Sequence, residues 1–292
     1  MVTFLQQIIN GLSIGSVYAL MAVGFSLVFS VMNFSNFAHG GVIMFGAYFG
    51  FFYMTLLGLP FVPAFLLAML SAGLLAVSIE RIAYRPLRNR NAPVLYFLIA
   101  AMGMSIFLEN IVVATIGPAF RTYPTVFPVV PIRIGPLSVG WIDLMMFLIA
   151  GVSLAILVFI LEYTKIGKAI RATVYNQKGS ALMGISTSQM MMFVFLLGGL
   201  LAGIAGVLFG MRYTVWPQMG AITIKAFVAA VFGGLGSVQG AVIGALLLGI
   251  IETMMAGYIS SQFRDLAAFV VLILVLVFRP QGIMGKIVED KA

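Results

Sequence analysis

The chain has 292 residues, of which 62% are hydrophobic and 8% charged, and its mean hydropathy is +1.16. Soluble globular domains average about half apolar and about a quarter charged residues, so this composition excludes a cytosolic enzyme, a nucleic-acid-binding module and a disordered segment. The net charge is +8, and the absence of cysteine removes disulfides, thiolate chemistry and cysteine-ligated metal sites. No charged side chain precedes Glu80. Because a membrane-crossing helix needs about 20 apolar residues, this uncharged stretch is long enough for more than one such helix. These features predict an all-α protein, a polytopic transmembrane helical bundle.

Hydrophobic runs separated by polar residues mark the candidate membrane segments. They lie near 8–31, 41–58, 62–79, 93–116, 141–161, 189–211, 221–235, 239–258 and 264–278. We expect about eight or nine membrane segments, some of them broken at glycines, within a single transmembrane domain that spans 1–292.

Basic residues concentrate in three of the loops between these runs. The three groups are Arg81, Arg85, Arg88 and Arg90; Lys165, Lys168, Arg171 and Lys178; and Arg279, Lys286 and Lys291. The positive-inside rule places all three loops in the cytoplasm. Counting spans between them predicts an external N-terminus, a cytoplasmic C-terminus and an external segment 117–140, whose five prolines oppose helix formation and indicate an extended cap.

Two membrane segments are interrupted by polar or glycine-rich sequence, at 33–41 and at 233–240. Non-helical backbone at membrane depth is tolerated only where protein or a wet cavity satisfies its polar groups. In transporters, such breaks lie near the substrate pathway. The strings His39–Ile43 and Gln239–Ile243 share three of five residues, which an internal repeat and chance explain equally well.

The cytoplasmic loop 162–188 is longer than a connector between spans requires. Helix-forming residues at 168–175 and again at 177–183, the second run containing Gly179, predict one or two short helices, with Gly184 as the stop. The uncharged apolar run 181–185 favours docking into a protein groove. The alternative is a basic interfacial helix on anionic lipid.

Polar side chains in the first break have two interpretations. The one histidine, His39, caps or packs within the turn, or relays protons, which requires an acidic partner. A lone histidine builds neither a metal site nor a catalytic dyad. Asn33, Ser35 and Asn36 are expected to cap the broken helix ends.

Two carboxylates, Glu109 and Glu252, fall inside hydrophobic runs, where charges are costly and commonly functional. Each is expected either to have a structural role, in a buried pair with Lys225 or Arg212 or at a subunit interface, or to line the pathway. Asp143 marks a membrane boundary.

No nucleotide-binding loop is present in the sequence. For the Gly-Lys pairs at 167–168 and 285–286, the position six residues before the lysine holds Glu162 and Pro280, where a phosphate-binding loop requires glycine. We expect no catalytic residues, metal or cofactor in this chain, and any pumping must be driven by another subunit.

The string 27–48, which contains Asn-Phe-Ser-Asn-Phe-Ala-His-Gly-Gly, resembles the N-terminal signature of branched-chain amino-acid ABC-transporter permeases. The resemblance continues through Gly-Lys-Ala-Ile-Arg-Ala (167–172), Ala-Leu-Met-Gly-Ile (181–185), 201–208 and 232–245, and so covers essentially the whole chain.

The resemblance implies a heterodimeric permease in a bacterial inner membrane, with a paralogous permease partner, two cytosolic ATPase subunits and a periplasmic substrate-binding protein, and no nucleic acid. It also implies that Asn176 to Gly184 contacts the ATPase. The residues expected to couple to the ATPase are Lys168, Arg171, Asn176, Lys178, Ala181, Leu182 and Gly184. Relatives usually carry an acidic residue where this chain has Lys178, so the complementary ATPase surface is expected to differ.

The expected function is therefore that of a permease subunit for branched-chain or related amino acids. The residues expected along its pathway are Asn33, Phe34, Asn36, Phe37, His39, Gly40, Gly41, Gly233, Gly234, Gly236 and Gly240. The apolar wall of the pathway is expected to come from Phe34, Phe37, Val42 and Met44. An ATP-independent channel or ion-coupled carrier is the alternative, and within the family urea, amides and aromatic acids remain open as substrates.

Overall fold

The computed structural model describes residues 1–285, which form twelve α-helices and one short hairpin. The helices are α1 (Val2–Met32), α2 (His39–Thr55), α3 (Phe61–Ile79), α4 (Arg85–Asn89), α5 (Val94–Thr115), α6 (Trp141–Tyr163), α7 (Lys165–Tyr175), α8 (Gln177–Leu182), α9 (Thr187–Arg212), α10 (Thr223–Gly233), α11 (Val238–Tyr258) and α12 (Arg264–Phe278). A π-helical turn, Glu80–Tyr84, joins α3 to α4, and 3-10 turns at Pro217–Ile222 and Ser261–Phe263 precede α10 and α12. The antiparallel strands are β1 (Ile132–Ile134) and β2 (Leu137–Val139). Lys286 and Lys291 of the third predicted basic loop lie outside the described residues.

Seven helical segments are long and apolar enough to cross a membrane: α1, α3 with its continuation to Asn89, α5, α6, α9, α11, and α12 with its preceding turn. The all-α polytopic class is confirmed. Helices α2 and α10, with 17 and 11 residues, are shorter than a full span. The nine hydrophobic runs correspond to nine helices whose ends differ from the predicted ends by three residues or fewer, except that α1 begins at Val2.

The core is built around α1, which is buried from Ser13 to Val28 and packs against α6, α9, α10 and α11. Close approach depends on small residues. A Cβ at Gly11 would lie 2.7 Å from Cα of Ile250, and a Cβ at Gly46 would lie 2.7 Å from Cα of Gly203. Such contacts bring helix backbones together where lipid provides no hydrophobic driving force. Helices α5, α6 and α12 surround this core and expose apolar side chains.

One end of the bundle, which we call the basic end, contains the loops with Arg81–Arg90 and Lys165–Lys178. The loop residue Gln177 donates from Nε2 to the carbonyl of Val31 at the end of α1, 2.7 Å away. Arg88 donates to Ser188 Oγ at the start of α9, 3.1 Å away. The first contact joins the loop 162–188 to the C-terminal end of α1, and the second joins the Arg81–Arg90 loop to the start of α9.

The segment 117–140 lies at the opposite end and contains no helix, which confirms the expectation from its prolines. It reaches into the bundle, where the Tyr123 hydroxyl donates to the carbonyl of Ala47, 2.6 Å away. Burial raises the pKa of Tyr123, which keeps this donor protonated. Gln6 donates to the carbonyl of Ser138 at 2.7 Å, so the N-terminal end of α1 shares this end of the bundle.

The loop 162–188 forms two helices that separate at Asn176, as the predicted ranges 168–175 and 177–183 place them, and Gly179 does not interrupt the second. The Asn176 side chain accepts the amide hydrogen of Gly179 at 2.8 Å and so caps α8, with Gly179 inside the helix. Asparagine is a strong N-cap because its side chain satisfies an amide that has no intrahelical partner. Gly184, at φ +82°, follows the helix in the conformation expected of a stop.

Candidate functional site

A candidate site is formed by a groove of about 370 Å³ between α2, α5 and the start of α10. Its walls are mainly apolar, with three polar side chains. The lining residues are Phe37, Gly41, Met44, Met102, Ser105, Ile106, Glu109, Pro217, Gly220, Ala221, Thr223 and Ile224. A concave, mostly apolar surface with a few polar groups is typical of small-molecule sites.

Helix α5 contributes one stripe of its surface to this groove. Met102, Ser105, Ile106 and Glu109 follow the spacing i, i+3, i+4 and i+7, which places them on one helix face. The buried residues of α5 lie on another face; they are Phe97, Ala101, Leu108 and Val112. The helix therefore anchors with one face and presents the other to the groove.

The opposite wall depends on close contact between α2 and the turn before α10. A Cβ at Gly40 would overlap the carbonyl of Gly220 and the hydroxyl of Thr223, so only glycine permits this approach. Thr223 is 3% exposed, and its hydroxyl has no hydrogen-bond partner within residues 1–285. A buried hydroxyl without a partner is uncommon and often marks a functional position.

The first break supplies only part of the groove. Phe37 and Gly41 line it, whereas Phe34 packs against the rings of Tyr84 and Phe97, with centroids 5.2 and 5.4 Å apart. Of the predicted apolar wall, Phe37 and Met44 therefore line the groove, and Phe34 does not.

Of the three polar residues expected to cap the broken helix ends, Asn33 does so as the C-cap of α1, whereas Ser35 and Asn36 cap neither helix. Asn33 is exposed and ends α1 through its own left-handed backbone, at φ 55°, donating its amide to the carbonyl of Phe29 at 2.8 Å. Asn36 instead accepts a hydrogen bond from the buried Tyr84 hydroxyl at 2.7 Å. Ser35 accepts the Phe37 amide with its carbonyl at 3.1 Å.

His39 is buried at the start of α2 and lies away from the groove. It lines a cavity of about 10 Å³ together with Asn36 and Val42, and its Nε2 has no hydrogen-bond partner in residues 1–285. A Cβ on Gly24 would come within 2.8 Å of its ring, so that glycine makes room for the imidazole. The cavity has room for about one water molecule, and its lining contains no carboxylate that would serve a proton relay.

The glycines of the second break pack against backbone and not along the groove. The positions of Gly233 and Gly240 face each other so closely that a Cβ on either would overlap the other. Gly234 and Gly236 adopt φ of +113° and +85°, and the Gly236 amide donates to Ser26 Oγ at 3.0 Å.

The two intramembrane carboxylates have different surroundings. Glu252 is 1% exposed, and Lys225 Nζ lies 3.1 Å from its carboxylate, while the Tyr18 hydroxyl donates to it at 2.9 Å. Lys225 also contacts Asp265, at 2.8 Å. Glu252 therefore forms the predicted buried pair, whereas Glu109 pairs with neither predicted cation.

Arg212 pairs instead with Asp143, whose Oδ1 lies 2.9 Å from its Nε. A further pair, between Arg88 and the buried Glu80 at 2.8 Å, was not predicted from the sequence. Most of the groove lining was not predicted either, although the spacing of Met102, Ser105 and Ile106 before Glu109 was a signal for it. No group of three histidine or acidic side chains in residues 1–285 is arranged to hold a metal.

The residues predicted to couple to an ATPase lie on the outer surface of α7 and α8. Six are exposed: Lys168, Asn176, Lys178, Ala181, Leu182 and Gly184. Arg171 is also exposed and pairs with Glu162 at 2.6 Å. Three large apolar side chains stand out from this surface, since Tyr175, Leu182 and Met183 are 85%, 89% and 83% exposed.

A family model described as branched-chain amino acid transport system / permease component matches residues 7–278. The chain belongs to this family. It is 40% identical to the high-affinity branched-chain amino acid transport system permease protein BraD of Pseudomonas aeruginosa, over 97% of this chain and 96% of that protein. It is 38% identical to the corresponding LivH protein of Escherichia coli K12, with the same coverage.

More distant similarities extend beyond these relatives. The autoinducer 2 import system permease protein LsrC of Escherichia coli is 30% identical over 51% of this chain and 44% of its own length. Among solved structures, PsaBC from Streptococcus pneumoniae in complex with Fab matches 95% of this chain and 92% of that chain, with a TM-score of 0.51 and 16% identity. At this identity the likeness concerns the fold alone.

Proposed function

We propose that this chain is a transmembrane permease subunit of an ABC importer that moves branched-chain or related amino acids across a bacterial inner membrane. The observation that carries the proposal is the end-to-end similarity to permease proteins named for branched-chain amino acid transport. The chain has no nucleotide-binding loop of its own in sequence, so ATP hydrolysis is assigned to separate subunits.

The groove is the proposed pathway surface of this subunit. It is apolar enough for an aliphatic side chain, and its open side lies along the exposed stripe of α5. A paralogous permease subunit is the proposed second wall. In this proposal Phe37 and Gly41 face the substrate. The other predicted pathway residues, Asn33, Phe34, Asn36, His39, Gly40, Gly233, Gly234, Gly236 and Gly240, shape or support the wall.

The proposed topology has eight or nine membrane segments, counting α2 and α10 as partial crossings, in a single domain. The basic end faces the cytoplasm because its arginines and lysines satisfy the positive-inside rule. The N-terminus and the segment 117–140 then face the periplasm, where a substrate-binding protein would deliver its cargo.

Coupling to the ATPases is proposed to pass through α7 and α8. An exposed apolar group on a polar cytoplasmic surface, formed by Tyr175, Leu182 and Met183, is typical of a protein interaction site. Lys178 lies beside it, so the complementary ATPase surface is expected to be acidic or neutral there.

The decisive experiment is co-expression of this chain with the permease partner, ATPases and binding protein from its own operon, followed by purification and leucine uptake in proteoliposomes. We expect uptake to require ATP and all subunits. Leu182→Asp should abolish ATPase copurification, because it places a charge in the proposed apolar contact. The control Asn89→Asp adds the same charge at another exposed position of the basic end and should leave copurification intact.

Uptake by this chain alone, without ATPases, would instead establish the channel or ion-coupled carrier. ATP-dependent uptake of urea, amides or aromatic acids without leucine uptake would retain the importer and replace its substrate.

A further inference from the structure

One carboxylate of the described chain differs from all the others. Residues 1–285 contain six acidic side chains, and five of them are in ion pairs: Glu80, Asp143, Glu162, Glu252 and Asp265. Glu109 has neither an ion pair nor a hydrogen bond among these residues, although it lies within α5. The fold therefore compensates each of the other five carboxylates and leaves Glu109 to be compensated from outside.

The position of Glu109 indicates what compensates it. A charged side chain in a membrane segment is costly unless it faces a cation or water, and Glu109 faces the groove. Its surroundings combine this negative charge with apolar side chains and two hydroxyls. Ser105 lies one turn earlier on the same face of α5, and Thr223 lies on the opposite wall with its buried hydroxyl unpartnered among the described residues.

We propose that Glu109 binds the α-ammonium group of an aliphatic amino acid as it passes through the groove. The proposal rests on the function proposed above and names the subsite within it. A zwitterionic aliphatic amino acid carries a cation with three donors, a carboxylate that accepts hydrogen bonds, and an alkyl side chain. Glu109 takes the cation, the hydroxyls of Ser105 and Thr223 donate to the carboxylate, and the apolar walls receive the alkyl group.

The position of Glu109 also predicts that the groove prefers amino acids to analogues that lack the ammonium group. An analogue without the ammonium group, such as a branched-chain 2-oxo acid, would leave the Glu109 charge uncompensated and bring its own carboxylate close to it. Like charges in an apolar site disfavour each other strongly. Glu109 is therefore expected to select for the amino group, independently of the binding protein that delivers the substrate.

The competing explanation is that a cation of the permease partner pairs with Glu109 and the residue serves assembly. The two explanations separate on different readouts. A substrate subsite alters leucine transport in an intact complex, whereas an interface ion pair alters the yield and stability of that complex.

The test uses the complete importer in proteoliposomes with saturating binding protein, comparing Glu109→Gln, Glu109→Asp and the control Asn110→Ala, which removes a neighbouring polar side chain that bonds to its own helix. We expect Glu109→Gln to lower leucine uptake about 10-fold or more, because a charge-assisted hydrogen bond becomes neutral. Subunit composition should be unchanged in Glu109→Gln, and Glu109→Asp should retain part of the uptake. The control Asn110→Ala should match the wild type in leucine uptake and in basal ATP hydrolysis.

A second measurement follows the substrate directly. Photo-leucine, which carries a diazirine in its side chain, should label peptides containing Met44 or Met102 in the wild-type importer during turnover, and labelling should fall in Glu109→Gln. Uptake within twofold of wild type in Glu109→Gln, or loss of the permease partner from that variant, overturns the subsite. Absence of leucine uptake by the wild-type importer overturns the proposed function instead.

Discussion

The break between α1 and α2 and the break between α10 and α11 interrupt similar apolar sequence but are held by different contacts. In the first, aromatic and amide side chains form the contacts: Tyr84 donates to Asn36, and Phe34 packs between the rings of Tyr84 and Phe97. In the second, backbone packs on backbone at Gly233 and Gly240. Hydrogen bonds from the amides of Ile283 and Met284 to the end of α10 add to this contact.

The comparison shows that glycine content alone does not identify a pathway. The first break leads directly into the groove through Phe37 and Gly41, whereas none of the glycines at 233–240 lines it. The second break forms a tight hairpin that holds α10 against α11. Thr223 and Ile224, at the start of α10, line the groove. The second break therefore affects the groove only indirectly, by fixing the position of α10.

The largest effect is expected at the backbone contact of the second break. Gly240→Leu should prevent folding, at a cost of more than about 3 kcal/mol, because its side chain would occupy the position of the Gly233 carbonyl. The measurement is the yield of monodisperse protein in detergent. Gly103→Ala is the control: a Cβ at Gly103 meets no atom within 4 Å, so its effect should stay within about 1 kcal/mol. Normal yield of Gly240→Leu would contradict the close contact.

The second-largest effect is expected at the ion pair between Lys225 in α10 and Glu252 in α11, the two helices that the second break connects. Lys225→Met leaves the buried Glu252 carboxylate without its cation, and removal of one partner of a buried pair costs about 3–5 kcal/mol. A thermal unfolding scan in detergent should show a lower Tm, which the double variant Lys225→Met/Glu252→Met should largely restore. Asp265→Asn changes the exposed side of the same cluster and should cost less than about 1 kcal/mol. Equal losses in the two single variants would show that the pair is not the stabilising contact.

At the first break, two adjacent glycines should differ in their tolerance of a methyl group. A Cβ at Gly40 meets the backbone of Gly220, which cannot yield, whereas a Cβ at Gly41 meets Cδ1 of Leu108, a side-chain end that can rotate. Gly40→Ala should lower the free energy of unfolding by about 1–3 kcal/mol and reduce leucine uptake, and Gly41→Ala should cost less than about 1 kcal/mol. Denaturant unfolding and uptake assays on both variants decide this, and the reverse order would place the close contact elsewhere.

The smallest effect is expected at the hydrogen bond of the first break. Tyr84→Phe removes the donor to Asn36 and should destabilise the protein by about 0.5–1.5 kcal/mol, the net contribution of one intramolecular hydrogen bond. Tyr53→Phe removes a hydroxyl contact to Ser71 that is only partly buried and should cost less. A comparison of Tm values checks the order. An unchanged Tm for Tyr84→Phe would indicate that the aromatic packing alone stabilises this break.

The helix positions could be predicted because the membrane constrains them. Apolar runs such as 264–278 and 141–161 match α12 and α6 closely, since a span needs a minimum length of apolar sequence. The extended segment 117–140 followed from proline chemistry alone. The separation of α7 from α8 at position 176 agrees with the predicted ranges, but the Asn176 cap that produces it was not predicted, and Gly179 lies inside α8.

The candidate site was predictable only in part. Phe37 and Gly41 came from the break motif, and Glu109 from its charge in an apolar run. Thr223 and Gly220 carry no local signal, because their role depends on a contact with Gly40 about 180 residues earlier in the chain.

Composition and hydropathy by themselves determined that this chain crosses a membrane repeatedly as helices, because a bilayer accepts few other structures and leaves backbone groups no water to bond. The sequence motifs that resemble those of branched-chain amino-acid permeases added the family. The tertiary structure alone decided which carboxylate is compensated and which faces the groove. Tyr18, Lys225 and Glu252 meet through the packing of α1, α10 and α11, and no local property of sequence specifies which distant helices become neighbours.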